Sequence, residues 1–134
     1  MDFLQPQGWA RAKGYSNGIA ATGRCIFVSG MIGWDREGQF HTENFAGQVR
    51  QALLNIVEVL AEANALPEHI VRMTWYVVDK KEYVAAYKEI GIAYREVIGR
   101  HFPTMTAVQV VALIEDQARV EIEVTAVVPA LVLE

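Results

Sequence analysis

The stretch from Pro103 to Ala126, PTMTAVQVVALIEDQARVEIEVTA, holds the residues best suited to chemistry. Glu121 and Glu123 stand two apart in it, so in a strand they point to the same side. Two carboxylates on one strand face can hold an attacking water or relay a proton. If nothing covers that face, they are simply a solvated surface. Arg119 shares their face, and an arginine two residues from a carboxylate on one strand is expected to pair with it. Other chemistries are poorly supplied. His41, His69 and His101 are scattered among loops and ends without ligand spacing such as HExxH, so no metal site is expected. Cys25 falls mid-strand with no identifiable partner histidine and reads as core. No G-x-G-x-x-G or P-loop occurs, and no cofactor is expected.

The elements that position these residues follow from periodicity. Thr106–Leu113 and Ala118–Val128 are apolar and β-branched, separated by Glu115-Asp116-Gln117, which predicts an antiparallel hairpin. In its second arm Val120, Ile122, Val124 and Ala126 form a core face. Upstream, residues 1–8 read as a loose arm, Trp9–Tyr15 as a first strand, Ser16-Asn17-Gly18 as a turn, and Ile19–Thr22 and Arg24–Met31 as strands. Gly30 and Gly33 mark where the backbone bends or approaches a ligand closely. From about Glu43 the period changes. Phe45, Val49, Ala52, Leu53, Ile56, Val57, Leu60 and Ala63 make a helical stripe, Asn64 suits a left-handed cap and Pro67 prevents continuation. His69–Val78 is a strand. Asp79 then caps a second helix with Tyr83, Ala86, Tyr87, Ile90, Ala93, Tyr94 and Val97 on its inner stripe, and Gly99 ends it. The order β-β-β-α-β-α-β-β predicts an α+β fold, with two helices on one face of a mixed sheet.

Length and composition set further bounds. At 134 residues the chain is one domain, 1–134, large enough for one core. It is 52% hydrophobic, slightly apolar for its size, so part of that surface is expected to meet another subunit. A net charge of −4 disfavours a nucleic-acid-binding face. No apolar run approaches the ~20 residues of a membrane span. The single cysteine cannot form an internal disulfide, and MDFLQPQGWARAK lacks a cationic start followed by an apolar region. Both fit a cytoplasmic setting without a secretory signal.

Pro103-x-x-Thr106-x-Val108-x-Val110, a loop, and then Val120-Glu121-Ile122-Glu123-x-x-Ala126 resemble the C-terminal signature of the RidA/YjgF family of enamine and imine deaminases. Gly14-Tyr15-Ser16, Phe27-Val28-Ser29-Gly30, and Gln48 with Leu53-Leu54-Asn55 extend the likeness over roughly Ala12 to Val128. The resemblance implies a RidA-like (chorismate-mutase-like) fold and a homotrimer whose sheets meet centrally, with clefts between adjacent subunits that take a small metabolite. It implies that Glu121 orients water, that Tyr15 lines the cleft, and that backbone amides near Gly30 and Thr106 polarise the substrate. The departures are informative. The family pattern has Arg where this chain has Met105, usually Gln where it has Met31, and often Asn where Gly91 aligns.

Met105 bears directly on the activity. A guanidinium clamps the carboxylate of a 2-imino acid through paired, charge-assisted hydrogen bonds, and a thioether is only a weak acceptor. Deamination of 2-iminobutyrate-type substrates is therefore disfavoured. Met105 beside Met31 would make a softer, more apolar pocket. Two readings follow. One is a RidA-like hydrolase acting on a small enamine, imine or related reactive metabolite, with aminomuconate-type deamination as a variant. The other is a non-catalytic trimer that binds a metabolite in a degenerate site. A ribonuclease role is least favoured, because the charge is acidic and no His–His or His–Lys constellation is present.

Overall fold

Strand β6, Val120–Val128, buries Val120, Ile122, Val124 and Ala126 and turns Glu121, Glu123 and Thr125 to the other side, as its alternation predicts. It lies in the middle of a four-stranded sheet of order β3-β6-β4-β5, with β3 spanning Arg24–Ile32, β4 Ile70–Val77 and β5 Thr104–Gln109. This is a computed structural model, and it describes residues 1–130. The last four positions of the expected 1–134 domain lie outside the described residues.

β6 runs antiparallel to β3 and to β4, whereas β4 and β5 are parallel, so the sheet is mixed. Helix α1, Phe45–Glu62, lies across one face, with Val49, Leu53, Ile56 and Leu60 fully enclosed. Asn44 starts it by accepting from the Gly47 backbone N–H at 2.8 Å. Asn64 ends it with a φ of 56°, the left-handed cap expected. A single 3-10 turn, Pro67–His69, leads into β4. On the same face lie α2, Lys80–Ala85, and α3, Tyr87–Val97. Asp79 caps α2 by accepting from the Lys81 and Glu82 backbone N–H groups. The fold is thus a single α+β domain with its helices on one sheet face. No helix among the described residues is long and apolar enough to cross a membrane.

Four local expectations are corrected. The C-terminal hairpin does not form, because β4 lies between β5 and β6. Pairing of β5 stops at Gln109, and residues 110–119 cross the end of β4 instead of turning back. The Val110 N–H donates to the Val77 carbonyl at 2.9 Å, and the Val78 N–H donates to the Arg119 carbonyl at 3.2 Å. Both ends of the crossover are therefore tied to β4, and Val111 and Ile114 project outward at 104% and 95% exposure. At the N-terminus Asp2–Leu4, β1, pairs antiparallel with Gly18–Ala20, β2, so residues 1–8 are not wholly a loose arm. Trp9–Tyr15 is not a strand. Finally, the second helix breaks at Ala86, whose N–H is shared between the Glu82 and Tyr83 carbonyls.

Candidate functional site

Glu121 is the half-buried carboxylate around which the first part of the site is built. It stands opposite Ile32 on β3 and Tyr76 on β4. The β3–β6 register slips between Val28 and Met31, a bulge that includes Gly30. A Cβ on Gly30 would fall 2.5 Å from Glu121 Oε2, so only glycine lets this carboxylate lie over the bulged backbone. Among the described residues Glu121 has neither an ion-pair partner nor a hydrogen bond from a side chain. The expected Arg119–Glu121 pair is corrected. Arg119 reaches across to Glu82 of α2 at 3.2 Å. Glu123 is occupied structurally, because the Tyr76 hydroxyl donates to it at 2.6 Å. That bond, with burial and the carboxylate charge behind it, raises the Tyr76 pKa. Two carboxylates of one strand face are thus separated into a committed one and a free one.

Gln48 fixes the approach to this strand. Its side chain is 0% exposed, and its Nε2 donates to the Thr42 and Gln117 carbonyls at 3.1 and 2.9 Å. Its Oε1 accepts from the Arg119 N–H at 2.8 Å. One residue of α1 thereby holds the crossover loop two residues before Glu121.

The second part of the site lies at the opposite edge of the sheet. Ser16 is pinned to the start of β5: its hydroxyl donates to the Phe102 carbonyl at 2.5 Å and its N–H to the Pro103 carbonyl at 3.0 Å. This puts Tyr15 beside Met105, and the two residues line a cavity of about 600 Å³ together with Trp75, Tyr83, Tyr87 and Ala107. Thr106 turns to the other side of β5 and, with Tyr15, Met105 and Arg72, lines a smaller recess of about 260 Å³.

Strand order decides which expected site residues meet. Tyr15, Met105 and Thr106 are together, and Gly30 and Glu121 are together, but β4 separates the two groups. At about 4.8 Å per strand, β5 and β6 lie about 10 Å apart. Met31 joins neither group. It faces α1 beside Trp34 and Asn55, while Met105 is on the far edge strand, so the expected Met31–Met105 pocket is not present within one chain. Sequence reasoning missed Trp75 and Arg95, which border the large cavity. Arg95 stands four residues after Gly91, on the same side of α3, and that spacing could have placed it.

A family model described as Endoribonuclease L-PSP matches residues 7–128. The chain belongs to the RidA/YjgF family. This RidA/YjgF chain is 31% identical over 105 residues to the human protein named 2-iminobutanoate/2-iminopropanoate deaminase, covering 78% of this chain and 73% of that one. A Rid-family protein of unknown function from Yersinia pestis superposes with a TM-score of 0.84 at 26% identity, covering 95% of this chain and 98% of that one. A YjgF-family protein from Mycobacterium tuberculosis gives 0.64 at 31% identity, over 86% and 87% of the two chains. Met105 stands in the wall of the larger cavity.

Proposed function

We propose that this protein hydrolyses a small enamine or imine at a cleft shared between two subunits of a cytoplasmic homotrimer. The observation that carries this reading is the unpaired Glu121 carboxylate lying over the Gly30 bulge. The β5 edge has a cavity whose lining carries no carboxylate, and Glu121 does not border it. The open sheet face carries Phe27, 77% exposed, so burying it against a second copy is favourable. A neighbouring subunit could bring the two half-sites together.

In that cleft the Glu121 carboxylate orients water and takes one of its protons as the C–O bond forms at the imine carbon. The C–N bond then breaks with proton transfer to nitrogen, releasing ammonia and leaving a carbonyl product. Bare backbone around Gly30 and Thr106 supplies polarising N–H groups. Deaminase activity in relatives such as the human protein supports this chemistry. The family model's endoribonuclease description is not carried over, because a net charge of −4 disfavours a polyanionic substrate.

A second reading, a trimer that binds a metabolite without turnover, is favoured by one observation: Met105 lines the cavity where the family pattern has arginine. A coupled assay that generates imines in situ and measures the fall in imine concentration separates the two. Hydrolysis above the spontaneous rate that is abolished by Glu121→Gln supports catalysis. Tight ligand binding with no acceleration of any imine supports the second reading.

A further inference from the structure

We infer that Arg95 supplies the anion-binding group of the β5-edge cavity, and that this cavity takes a planar, conjugated or aromatic carboxylate. The inference rests on the cleft reading above and names the ligand class of that cleft. Three independent features converge on it. The first is a free guanidinium. Arg95 borders the cavity and has no carboxylate partner among the described residues. It stands one turn after Gly91 on α3, and a Cβ built on that glycine would only touch Arg95 Nη1, at 3.4 Å. The strand lacks a guanidinium at Met105, and the helix presents one at the same cavity.

The second feature is an orphan donor. Trp75 is 1% exposed, it lines the same cavity, and its Nε1–H has no hydrogen-bond partner. A buried N–H without an acceptor is unusual and costly, so a bound acceptor oxygen here would relieve it. The third is the wall chemistry. Trp75 and Tyr83 pack with ring centroids 6.2 Å apart, Tyr83 and Tyr87 edge-to-face at 5.2 Å, and Tyr94 and Phe102 stacked at 5.9 Å. Rings of this kind favour a flat π-system over a branched aliphatic one. The volume of about 600 Å³ suits a ligand larger than a two- or three-carbon acid. Lys13 at the cavity wall adds a second positive charge. Arg72 is also near Met105, but it lies on the open sheet face with Thr74 and Glu123 and does not border the aromatic cavity.

The test uses benzoate as probe, with benzamide and acetate as comparators, by isothermal titration calorimetry on the intact protein. Benzoate should bind about tenfold or more tighter than either comparator, because benzamide lacks the charge and acetate lacks the ring. Arg95→Met keeps an apolar stem at an exposed position and should weaken benzoate binding about tenfold, at unchanged thermal midpoint and oligomeric mass. Arg95→Lys should recover part of the loss, and Arg72→Met should leave binding unchanged. Equal affinity of benzoate in wild type and Arg95→Met, or no binding of benzoate at all, would overturn the assignment. The hydrolase reading fails separately. If benzoate binds through Arg95 but no imine is turned over, the cavity assignment stands and the catalytic one falls. If imines are hydrolysed but benzoate binds equally to wild type and Arg95→Met, the reverse holds.

Discussion

Replacing Gln48 with leucine should destabilise the protein far more than its volume suggests. Leucine fills much of the same space, but it removes three hydrogen bonds in a fully enclosed position. The Arg119 N–H is left facing an apolar side chain, and an unsatisfied buried donor costs about 1–3 kcal/mol. The Thr42 and Gln117 carbonyls reach solvent more easily, since Thr42 is half-buried and Gln117 exposed, so each loses less. Allowing for the apolar burial leucine regains, the net loss is about 3 kcal/mol. At roughly 3–5 °C per kcal/mol for a chain of this size, the thermal midpoint should fall by about 10–15 °C at fixed protein concentration. Gln48→Glu keeps the acceptor for Arg119 but turns a buried carboxylate toward the Thr42 and Gln117 carbonyls, and should fall at least as far as Gln48→Leu at neutral pH. Differential scanning calorimetry checks the order. A midpoint for Gln48→Leu within about 3 °C of wild type would refute the role given to these bonds.

The other predictions concern substrate choice, assembly and pH. Wild type should hydrolyse 2-iminobutyrate poorly, and Met105→Arg should improve that short substrate without dissociating the protein; a variant that loses its oligomer would show that the position is core, not cavity. Phe27→Asp puts a charge on the open sheet face and should shift the mass seen by light scattering from about three times 15.0 kDa toward the monomer; a wild type already at 15.0 kDa would remove the trimer. Asp35 accepts from the Gln39 N–H, from His41 and from the Glu37 N–H, and these hold its carboxyl below the ordinary 3.8. A lowered folded-state pKa means its contribution is present above the unfolded value and is lost as pH falls through the lower folded one. A carbon NMR titration should place the Asp35 midpoint below 3.8, and a midpoint at or above that value would contradict the turn geometry.

What was legible in the sequence was local. The alternation of β6, the stripe of α1, the Asp79 cap and the Asn64 left-handed cap each depend on a few neighbouring residues. The expected C-terminal hairpin does not form because strand pairing is not local. Thr106–Leu113 carries the composition of a strand throughout, but the chain leaves the sheet after Gln109 to pass the end of β4. The same long-range order separates Met31 from Met105 and divides the site residues into two groups. Strand spacing predicts an Arg119–Glu121 pair, whereas Glu82, distant in sequence, is the partner of Arg119. Trp75 sits in the core, and nothing in sequence shows that its indole N–H lacks an acceptor.

The central claim is that Glu121 of one subunit works with the β5 edge of another. It is tested most directly by mixing two variants that are each inactive, Glu121→Gln and Ala107→Trp. The second fills the cavity from an exposed position on β5. In trimers reassembled at random from equal amounts, about a quarter of the clefts combine an intact Glu121 with an intact cavity from the neighbour. Imine hydrolysis should therefore return to about a quarter of wild type on mixing. Activity that stays at the level of the separate variants after confirmed subunit exchange would contradict a shared site.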